Sequence, residues 1–441
     1  MSTSLITSLY AVAVTVCIVL VLVRAKSRPL ASWYHFVLLL FYGPAFFLYW
    51  GSDGNSIAQF RCAGTLLLSL FTTMVITMVF PRQNRSQALL DQPSGERVLS
   101  KNVYLFSSLC VVVITLSGLL FGGQLHRLKE GYTMTSRDRD AGYYHSLRSD
   151  AHLLGGGNIS VRLLNYVSRH GIGPFIAILA VALWRSKRTR QAALIAGLLC
   201  ICIFLAKAST LKKIDAIFFV MQCALVCTIL STRDERENTL KAIKIAGVGA
   251  LGLCGVGTMY LVFTNANNIA QIGNNLRIRI FEVPNYCFEL FMTWYPDKLP
   301  FQQGLNVRIL HNLFSRGGEY YPAHSLISEE AGTANAIYIA DAWVDWGWSG
   351  VLITSLIVAF ILVWVEKTYM VRNSAVNIAV LVFLIDPVKA LISVSFITCA
   401  GGFGLVSVPL FVHYILCHKS TGARSSRLTV NNRLHSSDMA A

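Results

Sequence analysis

The residues best suited to chemistry lie between positions 276 and 346. In "LRIRIFEVPNYCFELFMTWYP" (276–296) two arginines, Arg277 and Arg279, precede an aromatic-rich run. The planar guanidinium forms bidentate contacts with phosphate oxygens and stays charged at any physiological pH, so such a pair could clamp a diphosphate. It could equally be ordinary surface charge. Further on, "FSRGGEYYPAHSLISEEAGTANAIYIADAWVDWGWSG" collects Arg316, Glu319, His324, Glu329 and Glu330. Carboxylates beside an imidazole are candidate general acids or bases, although a solvated loop has the same composition. If Thr333–Trp346 is helical, Asn335, Tyr338, Asp341 and Asp345 recur at three- and four-residue steps and form one polar stripe. Such a stripe could line a cavity, or its aspartates could cap and salt-bridge neighbouring loop residues.

Three other stretches carry weaker signals. In "NYVSRHGIGPF" (165–175), Arg169 and His170 fall in the first turns of an apolar segment. An ionisable group there needs a partner, a wet cavity or a route to the headgroups, so Arg169 reads either as a snorkelling side chain or as part of an anion site. "KASTLKK" (207–213) sets Lys207, Lys212 and Lys213 in a tight turn, suited to headgroups or to a substrate phosphate. Segment 122–163 mixes basic, acidic and tyrosine residues with His126, His145 and His152, which lack metal-ligand spacing. Its "GGGN" follows no strand and precedes no Gly-Lys-Ser/Thr, which rules out a phosphate-binding P-loop.

The elements that must hold these groups are membrane helices. Of 441 residues, 54% are hydrophobic and 14% charged, against about 25% charged in soluble domains. Apolar runs of spanning length predict an all-α polytopic bundle of about eleven transmembrane helices, at 5–23, 31–50, 62–80, 102–121, 164–184, 191–206, 214–230, 243–263, 347–365, 375–396 and 399–417. The first has neither a basic n-region nor a cleavage site and reads as a retained span. Alternate loops (24–28, 82–101, 185–190, 231–244, 366–374 and the tail after His418) hold more than half of the 38 Lys and Arg. The positive-inside rule makes them cytoplasmic and puts the N-terminus outside and the C-terminus inside. One polytopic domain is therefore expected over 1–418, with extracytoplasmic segments 122–163 and 264–346 and a disordered cytoplasmic tail over 419–441. The net charge of +16 follows largely from this topology, so nucleic acid is not implied. Most cysteines lie in apolar runs, so no disulfide framework is expected.

The order of features resembles the bacterial oligosaccharide repeat-unit polymerases, the Wzy-like O-antigen polymerase family. The resemblance covers the topology of the whole chain and the motifs of residues 276–350: an Arg-x-Phe-like start at Arg279-Ile280-Phe281, a "TAN" stretch at 333–335 and a closing Gly347-Trp348-Ser349-Gly350. The extra Arg277 leaves open which arginine holds the family's position. The resemblance implies an inner-membrane glycosyltransferase that takes undecaprenyl-diphosphate-linked oligosaccharides as donor and acceptor, with no cofactor and no metal. It implies membrane lipid as surroundings, and a chain-length regulator and a flippase as pathway partners. Within it, Arg277 and Arg279 grip the donor diphosphate and His324 is the first candidate for base. Arg169, Arg316, Glu329, Glu330, Asn335, Tyr338, Asp341 and Asp345 are candidates for substrate binding. A lipid-linked oligosaccharide flippase, for which Asp386-Pro387-Lys389 is the best feature, and an O-antigen ligase-type transferase are the competing readings.

Overall fold

The structure is a computed structural model. It describes residues 3–24, 28–44, 56–80, 97–121, 169–209, 213–231, 269–306, 337–370 and 374–419, with positions 125, 129, 247 and 311 besides. The described chain is helical, as expected of apolar runs that must satisfy their own backbone groups away from water. In order come α1 (Thr3–Arg24), α2 (Pro29–Tyr42), α3 (Ser56–Val79), β1 (Arg97–Leu99), α4 (Lys101–Phe121), α5 (Ile172–Lys187), α6 (Arg190–Ala208) and α7 (Lys213–Ser231). After them come α8 (Ile269–Arg277), α9 (Val283–Trp294), α10 (Tyr338–Tyr369), α11 (Ala375–Ala390), α12 (Phe396–Gly401), α13 (Ser407–Phe411) and β2 (Cys417–Lys419).

Four of these helices are long and apolar enough to cross a membrane, Ile57–Val79, Lys101–Leu120, Arg190–Ala208 and Tyr338–Tyr369, and several shorter ones are equally apolar. Their outward faces fit lipid. On α4, Leu105, Phe106, Leu109, Val113, Leu116 and Leu120 are all exposed, a continuous apolar strip that water would penalise and acyl chains would not. The expected span 243–263, apart from Gly247, lies outside the described residues.

Two groups of helices share the core. In the first, α3 packs against α9 and α10, with α1 and α2 alongside; in the second, α5 is surrounded by α6, α7 and α11, with α4 against α6. Helix α11 also touches α2 and joins the groups. At one end of the first group, Glu366 closes the bundle. Its Oε1 accepts the Leu30 and Ala31 N–H groups at 2.9 and 3.0 Å, capping α2, while Oε2 takes Arg28 Nη1 at 3.2 Å. Arg28 also donates to the Phe80 carbonyl at the end of α3. Strands β1 and β2 pair antiparallel, Arg97 opposite Lys419.

Helix α10 differs from the sequence expectation. A helix over 333–346 leading straight into the next span is predicted, but Trp346 (φ −143°, ψ 17°) and Gly347 (φ 58°, ψ −135°) leave the helical region. Gly347 takes the left-handed φ that a side chain would resist. The chain then doubles back, because a Cβ on Gly350 would lie 2.1 Å from the Ala342 carbonyl oxygen. In a straight helix those positions would be about 12 Å apart. The two arms run in opposite directions along α3. In the short arm, Tyr338 meets Ser69 and Trp343 lies under Arg61; in the long arm, Trp348 lies at Gly64 and Phe360 meets Phe80 edge-on. So α10 is a helical hairpin whose short arm, Tyr338–Asp345, is inserted into the bundle. The expected span 399–417 is also divided, into α12 and α13, around a turn in which Gly404 has φ 91°. That over 375–396 stops at Ala390.

Candidate functional site

The polar groups of interest gather at the end of the bundle opposite Glu366. They begin in the run from α8 to α9. Pro284 has no N–H to offer the carbonyl one turn earlier, and the helix absorbs the break as a π-turn, Ile278–Glu282. Asn285 Nδ2 donates to the Phe281 and Phe41 carbonyls at 2.6 and 3.0 Å, tying the turn to α2. Arg277, at the start of this turn, is exposed, and its Nη2 sits 2.9 Å from Glu282 Oε1. Arg279 lies within the same turn. The aromatic helix expected after them is α9, which buries Phe288, Phe291 and Met292 and turns Tyr286 outward.

Arg61 fastens this segment to α3. Its guanidinium makes two parallel bonds to Asp297, at 2.8 and 2.9 Å, and donates to the Met292 carbonyl at 2.9 Å. Those bonds hold the Asp297 carboxyl below the usual carboxylate range. The guanidinium also lies 5.8 Å from the Trp343 ring centroid, and Trp343 Nε1 donates to the Tyr295 carbonyl at 2.9 Å. Phe301 and Trp348 meet Trp343 edge-on, at 5.7 and 5.4 Å.

The two aspartates of the opening stretch face the turn 302–306. Asp345 Oδ1 accepts the N–H groups of Gly304 and Asn306 at 3.0 and 3.2 Å, and Asp341 Oδ1 accepts Asn306 Nδ2 at 3.1 Å. Backbone bonds from Gln302 to Val344 and from Gln303 to Asp345 complete the seam. Their carboxylates thus fasten a loop, the second of the two roles the sequence leaves open. Tyr338 is wholly buried at the inserted end of the short arm, with its hydroxyl 2.6 Å from both Tyr34 Oη and Ser69 Oγ. It packs inside the protein.

A second constellation joins residues that the sequence keeps apart. Pro387 interrupts α11 one turn before its end, and the carbonyls of Val382 and Phe383 accept Gln222 Nε2 from α7, at 2.9 and 3.0 Å. Cys399 Sγ donates to the Pro387 carbonyl at 3.0 Å. Beside this kink, Asp386 lies between two ammonium groups: Lys389 Nζ is 2.9 Å from Oδ1 and Lys207 Nζ 3.6 Å from Oδ2. Lys207 is 1% exposed. His170 lies within electrostatic reach of Asp386, and Asp215 of Lys389. Lys389 also covers the Phe218 ring at 4.0 Å, and the His170 ring packs at a tilt against Phe403, centroids 4.9 Å apart. Arg169 is 7% exposed. The Leu391 carbonyl, two residues after Lys389, accepts the Tyr338 N–H at 3.1 Å. The charged cluster therefore adjoins the inserted end of the α10 hairpin.

Arg316, His324, Glu329, Glu330 and Asn335 lie outside the described residues. Of the other expected site residues, Arg277, Arg279, Asp341 and Asp345 belong to elements joined at one end of the bundle, and Arg169 directly precedes His170 of the second constellation. Sequence reasoning missed Arg61, a lone arginine near the start of a span, and missed that Lys207 and Asp386 meet. A charged residue inside an apolar run is the signal common to both. Comparison of the chain with protein-family models, curated proteins and solved structures yields no match.

Proposed function

We propose that this chain is a polysaccharide repeat-unit polymerase of the bacterial inner membrane, with about eleven spans and its chemistry at the periplasmic face. The observation that supports it most is the fixed surface at the Asp345 end. There Arg61, Asp341 and Asp345 fasten the end of α9, the 302–306 turn and a tryptophan cluster together, and Asn285 ties the arginine-bearing π-turn at the start of α9 to α2. Lipid-linked sugars need cations, aromatic rings and hydrogen-bonding groups at such a membrane edge. The assigned topology draws support from the contacts at the other end. Arg28, Phe80, Glu366 and the paired strands at 97–99 and 417–419 all border loops that the charge pattern makes cytoplasmic. The N-terminus is then periplasmic and the C-terminus cytoplasmic.

In this reading Arg277 and Arg279 bind the diphosphate of an undecaprenyl-linked donor. The acceptor hydroxyl oxygen attacks the anomeric carbon, the bond from that carbon to the diphosphate breaks, and the diphosphate leaves with the electron pair and is balanced by arginine charge. The hydroxyl proton passes to a base, for which His324 is the first candidate because its ordinary pKa lies nearest neutrality. Losing a charge-assisted phosphate contact costs about 1.5–3 kcal/mol, so Arg279→Ala is expected to reduce polymer yield roughly tenfold or more at normal membrane abundance. Deletion in the native host, followed by a gel of surface polysaccharide, tests the assignment. A product of one repeat unit is expected. Absence of any attached polysaccharide points to a ligase or a flippase instead.

A flippase remains the second reading because two helices are interrupted, α10 at Gly347 and α11 at Pro387, and charged groups lie beside the second break. Transporters place substrate sites at such breaks.

A further inference from the structure

We infer that Lys207 and Lys389 form an oxyanion-binding site for a phosphate group, and that Asp386 occupies it as an internal counter-ion until the ligand arrives. The two ammonium groups come from different helices, α6 and α11, and converge on the two oxygens of one carboxylate. The contacts are unequal. Lys389 hydrogen-bonds Asp386 at 2.9 Å, while the Lys207 ammonium stands 3.6 Å from its other oxygen. A carboxylate so placed mimics two oxygens of a phosphate. A harder and more highly charged oxyanion would gain from both ammonium groups.

The kink supports exchange. Asp386 and Lys389 lie on either side of Pro387, in the last turn of α11, where the backbone ladder is already interrupted and Gln222 and Cys399 satisfy the carbonyls around it. Asp386 can therefore turn aside without breaking a regular helix. His170, at the start of α5, brings a further protonatable group within electrostatic reach of Asp386. Arg277 and Arg279 stand on a separate element, so this site is additional to the diphosphate clamp proposed there. It depends on the polymerase reading only for the identity of the ligand, which would then be a lipid-linked diphosphate.

The test uses the full-length protein purified in detergent, with inorganic diphosphate as the probe in isothermal titration calorimetry. Wild type is expected to bind. Lys389→Gln and Lys207→Gln should each weaken binding tenfold or more, Lys389→Arg should retain most of it, and Asp386→Asn should bind severalfold more tightly than wild type. A purely structural ion triad gives the opposite result. No binding by wild type, unchanged affinity in both glutamine variants, or weaker binding by a folded Asp386→Asn would overturn the proposal. If Asp386→Asn does not fold, the contrast between Lys389→Gln and Lys389→Arg decides. Repeating the titration in phosphatidylcholine nanodiscs with and without phosphatidylglycerol separates the sources. Competition by phosphatidylglycerol identifies a headgroup phosphate, and its absence a soluble or polyprenyl diphosphate; both results support an oxyanion site. Binding is read without turnover, so a protein that binds diphosphate but forms no polymer counts against the polymerase reading alone.

Discussion

Arg61 shows how one side chain can hold a site together. It reaches a carboxylate, a helix-terminal carbonyl and an indole face, and so ties α3 to the end of α9 and to α10. Asp297 supplies only one of these contacts and is largely exposed. Arg61→Ala is therefore expected to lower stability by about 1.5–3 kcal/mol, the range for hydrogen bonds to charged groups, and Asp297→Asn by clearly less. A thermal melt of each variant in detergent checks the order. The pair also carries a pH signature. Because Asp297 is held below its ordinary range, its contribution is present above the unfolded carboxylate pKa and disappears as pH falls through the depressed folded value. The difference in Tm between wild type and Asp297→Asn should accordingly vanish in acid; a constant difference would mean that the charge of Asp297 is irrelevant. Asp345 has a different task. Removing it as Asp345→Ala leaves the Gly304 and Asn306 N–H groups without their acceptor, at about 1–3 kcal/mol for each one that stays dry. Limited proteolysis should then cut faster within 302–306, and unchanged cleavage would show that the turn is held by its other bonds.

Among the elements, what could be read from sequence depended on whether the signal was local. Uniform apolar runs such as 5–23, 102–121 and 191–206 announce α1, α4 and α6, because burial in lipid needs only length and hydropathy. The helical spacing of Tyr286, Leu290 and Thr293 likewise announces α9. The α10 hairpin was hidden. Trp346 and Gly347 are compatible with a continuous helix, and the turn is fixed only by tertiary contacts: Gly350 admits the Ala342 carbonyl, and Phe301 occupies the space where a Cβ on Gly347 would stand. For the same reason the polar stripe was visible but its partners were not, since the 302–306 turn is distant in sequence. Pro387 could be seen, but not the long-range compensation by Gln222. That compensation predicts a coupling. Gln222→Leu should cost about 1–3 kcal/mol in the wild type and distinctly less in a Pro387→Ala background, where a restored N–H at 387 can serve the Phe383 carbonyl. A double-mutant cycle on unfolding measures this, and simple additivity would show that Gln222 acts by packing alone.

Across the whole molecule, the contacts sort into two ends. One end ties together residues bordering the basic loops, and the other ties together the arginine-bearing turn, the tryptophans and the Asp345 seam. This agrees with the charge pattern, and in the proposed reading recognition falls at the second end and anchoring at the first. Impermeant maleimide added to intact spheroplasts should label a cysteine at Asp297 and leave one at Lys419 unlabelled until the membrane is opened; the reverse would invert the topology. The measurement that bears most directly on function is reconstitution of the purified chain in liposomes with undecaprenyl-diphosphate-linked repeat units from the native host, and product resolved by gel. A ladder of lengthening glycans that Arg279→Ala suppresses at equal protein is expected. Substrate moved across the bilayer without any lengthening would contradict the polymerase reading.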